Sequence, residues 1–551
     1  MPNPAKKTSQ PEIRPWNVMI YMAADNNLSE ECVYALKEID RLKLSDKISV
    51  IAQLDPNVRG VQTKRYHFNR MGASSRQAAR TNQQALQGTI SSNGFIRPLR
   101  DVDGKLFERE DPRFPPKGKG FAKNGAQRPN FENSADPCVL EDFLTAGIIN
   151  HQSDHQVIIL SGHGSGARGD FLRDQNPRTS MRILDIKKVL RKVVKALSGR
   201  GAKIGILGLD SCLMSMVEIC YELTGLAEYI VGAEGFELEG GWPYHSILEE
   251  LNRDPGMSEE ELACAIVERY IKYYSDYVIA GVSVDQAACH LNRKKVNKLT
   301  DAVKQLATEL RTGLTIPVIK DAIVLAHWKA QSYKFEQYTD LWDFCDLLFK
   351  WCEPYNKGEI SITYKVKETS TRVKGAIASI AIACDQVKQA IKNGDDTGVV
   401  LKSCYSGPTV QYSQGLSIYF PWNDTTLSDD YLNLEFARDN VTGWHTFLKE
   451  YVEATRRPQR NDCDLEGKPR GPIGRPFTQT SDGFFPLGNR DGEFTKDGEF
   501  TKDGEFTKAL ENSPNIMKNF PDTFFECDCS SRPASTTKEE EVVKAVQISE
   551  A

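Results

Sequence analysis

The sequence predicts an α/β fold in which a mostly parallel sheet is covered by helices on both faces. Three observations carry that expectation. Predominantly apolar runs of strand length recur at 16–22 (WNVMIYM), 48–54 (ISVIAQL), 157–160 (VIIL) and 203–209 (KIGILGL). Strands that are apolar on both faces are the mark of a buried parallel sheet. Between them lie stretches of helical periodicity, most clearly Ile186, Val189, Leu190, Val193, Val194 and Leu197 on one stripe. The spacing of strand, helix and strand then fits right-handed crossover units.

Taken in order, residues 16–22 form the first strand. A helix follows, capped by Asn27, with Glu30 three residues on and Cys32, Leu36 and Ile39 on one face. Residues 48–54 are the second strand. Periodicity then weakens across 55–136, apart from a short strand at 64–68, and so long a stretch reads as an insertion with a solvated surface. Order resumes with a helix at 139–149 and a strand at 157–160 that runs into Ser161-Gly162-His163-Gly164-Ser165-Gly166. The loop 167–182 carries Arg168, Arg173 and Arg178, and Asp185 caps the amphipathic helix behind it. The strand 203–209 ends at Asp210-Ser211-Cys212, and Leu213, Met216, Val217, Cys220 and Leu223 mark the next helix. Further strands are expected at 229–233, 277–284 and 415–422, and helices at 296–310 and 319–331. Residues 1–15 read as a flexible tail. So do residues 456–551, which hold DGEFTK three times between Asp491 and Lys508.

Composition removes some classes of function. The 551 residues carry 70 Lys plus Arg against 75 Asp plus Glu, a net charge of −5, without the basic footprint of a nucleic-acid binder. No run approaches the roughly 20 apolar residues that span a bilayer. No apolar segment follows Lys6 and Lys7, so no secretory leader is read and the cytoplasm is the expected compartment. The 13 cysteines have no repeated spacing and read as mostly reduced thiols. Cys527 and Cys529 form a lone C-x-C, too little to assign a metal.

In an open α/β sheet, ligands bind beyond the carboxyl ends of the strands. Two strands deliver reactive side chains there: 157–160 leads to His163, and 203–209 leads to Cys212. Thiol catalysis needs a thiolate, an imidazole that exchanges protons and N–H donors for the developing oxyanion. A strand-to-helix junction at Cys212 favours thiolate, and the glycines around His163 leave the Gly164 N–H available. A buried Cys or a turn His is commonly structural when taken alone; the joint placement is what points to chemistry. Residues 162–167 also fit G-x-G-x-x-A, a dinucleotide fingerprint, but that motif requires a helix to open at once. The following RGDFLRDQNPR lacks periodicity and contains Pro177. A serine-hydrolase elbow would need Ser where Gly164 stands.

At these residues the chain resembles the clostripain family of cysteine peptidases, relatives of caspases, legumains and gingipains. The matching segments are WNVMIYMAADNNLS (16–29), VIILSGHGSG (157–166), ILGLDSCLMSMVEICYEL (206–223), YTDLWDFC (338–345) and GLSIYFPW (415–422). The resemblance implies a caspase-like three-layer sandwich over 16–455, with 277–455 as its C-terminal part, acting on proteins or peptides and not on nucleic acid or membranes. It makes Cys212 the nucleophile and His163 its partner, with the backbone N–H groups of Gly164 and Cys212 as the oxyanion hole and no obligatory third residue. It implies cleavage after Arg or Lys, read by Asp210, a residue equally placed to cap the helix beyond it. Some members carry a second acid directly before a Gly-Trp pair. Here Gly240 precedes Gly241-Trp242, so either the neighbouring Glu239 takes that place after a one-residue shift or the pocket is less acidic and its selectivity looser; Glu234 and Glu237 lie nearby and are equally well explained as a solvated acidic loop. Relatives mature by cutting themselves between the His and Cys segments; here the Arg178–Thr179 bond in 167–182 is the candidate, with 55–136 as a second region. No cofactor is required. Calcium enters by resemblance to some relatives only, and no EF-hand spacing is present. Two other classes stand beside this reading: a catalytically inactive relative acting as a binding module, and a nucleotide-binding oxidoreductase. Hydrolysis of an Arg-containing peptide separates the first from an enzyme, and bound NAD would identify the second.

Overall fold

Strand β1 (Arg14–Ala24) is buried from Trp16 onward because its neighbours cover both edges and both faces. It lies parallel to β2 (Ile48–Pro56) on one side and to β4 (Ser153–Ser161) on the other. The computed structural model describes residues 13–57, 63–68, 133–175, 178–199, 202–333, 337–358, 367–392, 397–422 and 428–455. The DGEFTK repeats, both tails and most of the insertion expected at 55–136 lie outside the described residues. The chain divides into two compact units. The first holds the residues up to Met214 with Leu223–Gly232 and Glu237–Tyr270; the second holds Ser215–Glu222, Ala233–Phe236 and the chain from Ile271.

In the first unit the strand order is β8-β7-β4-β1-β2-β3, where β3 is Lys64–His67, β7 is Ile204–Asp210 and β8 is Tyr229–Gly232. All pairs are parallel except β2 with β3, which closes the edge as an antiparallel strand at the position expected from sequence. Helix α1 (Ser29–Arg41) follows β1, α2 (Pro137–Asn150) precedes β4 and α3 (Ile183–Ser198) precedes β7. Alternation along the strands assigns the layers. Met19 packs on Gly147 of α2, and the Tyr21 ring lies tilted against Phe143 of the same helix, 5.7 Å between rings. The opposite face carries Ile159 and Gly208, whose missing side chain makes room for the Trp242 ring. Trp242 leads into α5 (Tyr244–Arg253), which packs against α1. The mostly parallel sheet therefore has helices on both faces.

Local chemistry explains several boundaries. Asp136 caps α2 by accepting the Cys138 N–H at 2.8 Å, and Pro137 occupies the first helical turn, where it forfeits no bond. Two expected caps are different. Helix α1 starts at Ser29 after Leu28, with no side-chain cap, so Asn27 does not serve it. Asp185 lies inside the first turn of α3, where it accepts from Arg182 Nε at 3.1 Å and Lys188 Nζ at 3.0 Å. The stretch 167–182, expected as a loop, is ordered as a hairpin of β5 (Phe171–Gln175) and β6 (Arg178–Met181).

The second unit contains the short helix α4 (Val217–Glu222), an antiparallel pair of β9 (Val284–His290) and β12 (Val400–Ser406), and a three-stranded antiparallel sheet β10-β11-β13. The last is formed by Ser332–Tyr333, Tyr338–Asp340 and Ser417–Tyr419. Residues 277–284 are not a strand: Asp276–Ala280 is a 3-10 turn ended by Gly281 at φ 82°, and β9 starts only at Val284. Buried carboxylates clamp the loops of this unit. Asp285 accepts the N–H groups of Glu234 (2.6 Å) and Gly235 (3.0 Å), Glu234 accepts that of Gly415 (2.6 Å), and Asp340 accepts that of Gln414 (2.6 Å). Glu234 is thus fully buried, not part of a solvated loop. Among the described residues no helix is long and apolar enough to cross a membrane. Nine of the ten described cysteines take part in no disulfide.

One buried acid of the first unit makes stability depend on pH. Asp55 accepts the Ser134 and Thr63 hydroxyls at 2.7 and 2.8 Å, yet burial pushes its carboxyl from 3.8 up to about 7. Between those values the folded chain holds a proton that the unfolded chain has released, so stability falls as pH rises from 4 to 7, by up to about 4 kcal/mol. Asp55→Asn is expected to flatten that part of the curve; urea titrations at pH 5 and pH 8 check it, and an unchanged pH dependence refutes it.

Candidate active site

Strands β4 and β7 end level with each other at the pair Ser161–Asp210, while β1, paired with Ser161 at Met22, runs two residues further to Ala24. Past those ends the chain leaves the sheet, and the turns bearing Asn27, His163 and Cys212 lie at one carboxyl edge. The His163 and Cys212 turns are locked together. The Gly162 N–H donates to the Asp210 carbonyl at 3.2 Å, and the Ser211 hydroxyl donates to the Gly162 carbonyl. A Cβ at residue 164 would stand 2.5 Å from the Cys212 carbonyl oxygen. Glycine is required there by the contact between the two turns, a reason not visible in the sequence.

The backbone reverses directly after Cys212. Leu213 is left-handed at φ 65°, a conformation costing a leucine on the order of 1–3 kcal/mol. Helix α4 begins only at Val217 and is six residues long, so the helix N-terminus expected to favour a thiolate is not at Cys212. A backbone amide takes that part. The half-buried Cys212 Sγ accepts the Glu237 N–H at 3.3 Å, and as a thiol it donates to the Glu237 carbonyl at 3.5 Å. On ionisation the N–H contact remains favourable and stabilises the charged sulfur.

His163 is half-buried, and its Nε2 lies 2.7 Å from Asn27 Oδ1. Burial, and then the charge of Arg173, hold the imidazole below its ordinary value, and Glu239 acts in the opposite sense. Its carbonyl accepts the Leu172 N–H at 2.9 Å, which ties the His163 turn to β5.

The acidic residues separate into different environments. Asp210 is 4% exposed and caps no helix; its Oδ1 accepts the Trp242 N–H at 3.0 Å and its Oδ2 accepts the Tyr244 hydroxyl at 2.6 Å. Burial pushes its carboxyl up, against bonds from Tyr244, Ser161 and the Glu237 carboxyl. Glu237 also accepts from Trp242 Nε1 at 3.1 Å. Glu239 is exposed and accepts from Asn27 Nδ2 at 3.4 Å. Arg178 and Thr179 are exposed on β6, where they pair with Gln175 and Asp174 of β5. The side-chain roles of Asn27 and Glu237 went unread in the sequence, since one looked like a cap and the other like solvated charge. Among the described residues no group of three or more His, Cys, Asp or Glu side chains is arranged to hold a metal ion.

Comparison with known proteins adds independent findings. The chain is 22% identical over 475 residues to clostripain of Hathewaya histolytica, covering 78% of this chain and 79% of that protein. Among solved structures it is similar to a secreted C11 cysteine protease from Bacteroides thetaiotaomicron in complex with an irreversible peptide inhibitor. There the identity is 15% and the TM-score 0.48, over 79% of this chain and 99% of the other. An inactive zymogen C11 protease from Parabacteroides distasonis gives 17% identity and a TM-score of 0.45 over 78% and 99%. A sequence model of the clostripain family matches residues 20–451. With a match of that extent, the chain belongs to the clostripain family and is a cysteine-type peptidase.

Proposed function

We propose that the chain hydrolyses peptide bonds after Arg or Lys through Cys212 and His163. One observation carries the reading: the two residues stand at equivalent places past adjacent parallel strands, each two residues beyond the pair Ser161–Asp210, on turns that touch. The Cys212 thiolate attacks the scissile carbonyl carbon and forms a thioester as the C–N bond breaks. The imidazolium of His163 gives its proton to the departing amine. Water then attacks the thioester, His163 takes a proton from it, and the acid product leaves with the thiol restored. The N–H groups of Gly164 and Cys212 hold the oxyanion in both halves.

Selectivity for a basic side chain rests on Asp210 and, beside it, Glu237 rather than Glu239. Burial suppresses the charge of Asp210, and the half-buried Glu237 carboxyl stands beside it. A guanidinium or ammonium entering this place would favour the ionised Asp210 and form charge-assisted bonds.

Self-cleavage at Arg178–Thr179 completes the proposal. That bond joins two exposed residues of the four-residue strand β6, which must leave the hairpin before a cysteine peptidase can bind it extended. Digestion of a peptide library by the wild type and by Cys212→Ala, followed by mass spectrometry of peptides and enzyme, tests all parts together. Cuts after Arg or Lys by the wild type alone, and an enzyme cut at 178–179 only when Cys212 is present, are expected. Undiminished digestion by Cys212→Ala refutes the nucleophile, and a wild type that digests peptides while staying whole at 178–179 refutes self-cleavage there.

A further inference from the structure

We infer that Asn27 is a positioning residue that fixes the tautomer of His163, and that Glu239 braces Asn27 from behind. The inference rests on the reading of Cys212 and His163 given above. It begins from a side chain that local structure does not need. Asn26, not Asn27, builds the turn after β1: its Oδ1 accepts the Leu28 N–H at 2.9 Å, and its Nδ2 donates to the carbonyls of Ala23 (2.9 Å) and Arg173 (2.7 Å). Helix α1 opens two residues after Asn27 without any side-chain cap, although Asn is among the strongest capping residues. Asn27 instead lies between His163 Nε2 at 2.7 Å and Glu239 Oε1 at 3.4 Å.

The chemistry of the row sets its direction. A carboxylate only accepts, so the group Asn27 turns toward Glu239 is its NH₂ and the group toward His163 is its carbonyl oxygen. An oxygen acceptor at 2.7 Å requires the proton on Nε2. Nδ1 is then the ring nitrogen left to exchange protons with the thiol and the leaving amine. When His163 becomes an imidazolium, Nε2–H donates more strongly to Asn27, whose amide is polarised by Glu239. The three residues come from three places in the chain: the end of β1, the end of β4 and the segment before Trp242. Because β1, β4 and β7 are adjacent, the row runs Asn27, His163, Cys212 along one sheet edge. Two charges act on the ring, with opposite sign: Arg173 from β5 and Glu239.

The test measures kcat and KM against pH for the full chain with an Arg reporter peptide, in Cys212→Ala, Asn27→Ala, Asn27→Asp and Glu239→Gln. As a residue that acts through His163, Asn27 is expected on replacement by Ala to lower kcat by about 10²-fold, the scale of a misplaced catalytic group, with KM little changed. The alkaline limb that reports the imidazolium should move to higher pH by roughly 1 unit in Asn27→Asp and to lower pH in Glu239→Gln. Displacement in opposite directions is a signature that a loss of packing does not produce. The ¹⁵N shifts of the His163 ring should report a proton on Nε2 in the wild type and a mixture in Asn27→Ala. If Cys212→Ala is inactive while Asn27→Ala keeps the wild-type kcat and ring shifts, the positioning role is wrong and the dyad stands. If both conservative variants leave the alkaline limb in place, the row does not act on His163. If Cys212→Ala keeps its activity, the underlying reading fails and this inference falls with it.

Discussion

Cys212→Ala is expected to lower turnover of an Arg reporter peptide by about 10⁴-fold or more, and His163→Ala to bring it to nearly the same floor. The two side chains act as one device: without the sulfur there is no acyl intermediate, and without the ring the leaving amine receives no proton. Combining the substitutions should therefore cost no more than either alone. Both groups are half-buried at the sheet edge, so truncating them removes little packing and the thermal transition should stay close to that of the wild type. Kinetics of the two single variants and the double variant check this. A double variant slower than either single variant by the product of their effects would mean that the residues act in separate steps.

Asp210→Asn is expected to cut the preference for Arg over an uncharged side chain by about 10²- to 10⁴-fold. Removing one partner of a buried ion pair costs about 3–5 kcal/mol, and here the loss falls on the substrate with the cation. Asn keeps the shape and can still accept from the Tyr244 hydroxyl or the Trp242 N–H, the two bonds that Asp210 makes inside the protein. The informative quantity is the ratio of kcat/KM for Arg and neutral reporters, since a damaged fold lowers both. An unchanged ratio in a well-folded Asp210→Asn would reduce Asp210 to a brace for Trp242 and Tyr244.

How far the sequence reaches is visible in particular elements. Strands β1, β4 and β7 are legible because a strand covered on both faces can carry almost nothing but apolar residues, and the placement of His163 and Cys212 follows from where those runs stop. Strand β9 is hidden because its first residues include Asp285 and Gln286, buried polar groups that break the apolar run; Asp285 is there to clamp Glu234 and Gly235. The hairpin of β5 and β6 is hidden because its alternation is interrupted by Leu172, held at φ 50°. Segment 338–345 stands out only by resemblance, whereas 415–422 also reads as a strand. The fold gives the physical reason for both: Tyr338 pairs with Tyr419 and Asp340 with Ser417, side by side in one antiparallel sheet. Asn27 shows the opposite failure, where a local rule for helix caps gives a sound reading of a residue that tertiary structure uses elsewhere.

The central claim is that one sulfur among 13 cysteines does the chemistry. Treating the full chain with a peptide that ends in Arg and carries an irreversible thiol-reactive group, then mapping the adduct by mass spectrometry, addresses it most directly. The account predicts a single adduct on Cys212, formed at a rate that falls sharply in His163→Ala. Complete loss of peptidase activity with the adduct on any other residue, and Cys212 unmodified, would contradict it.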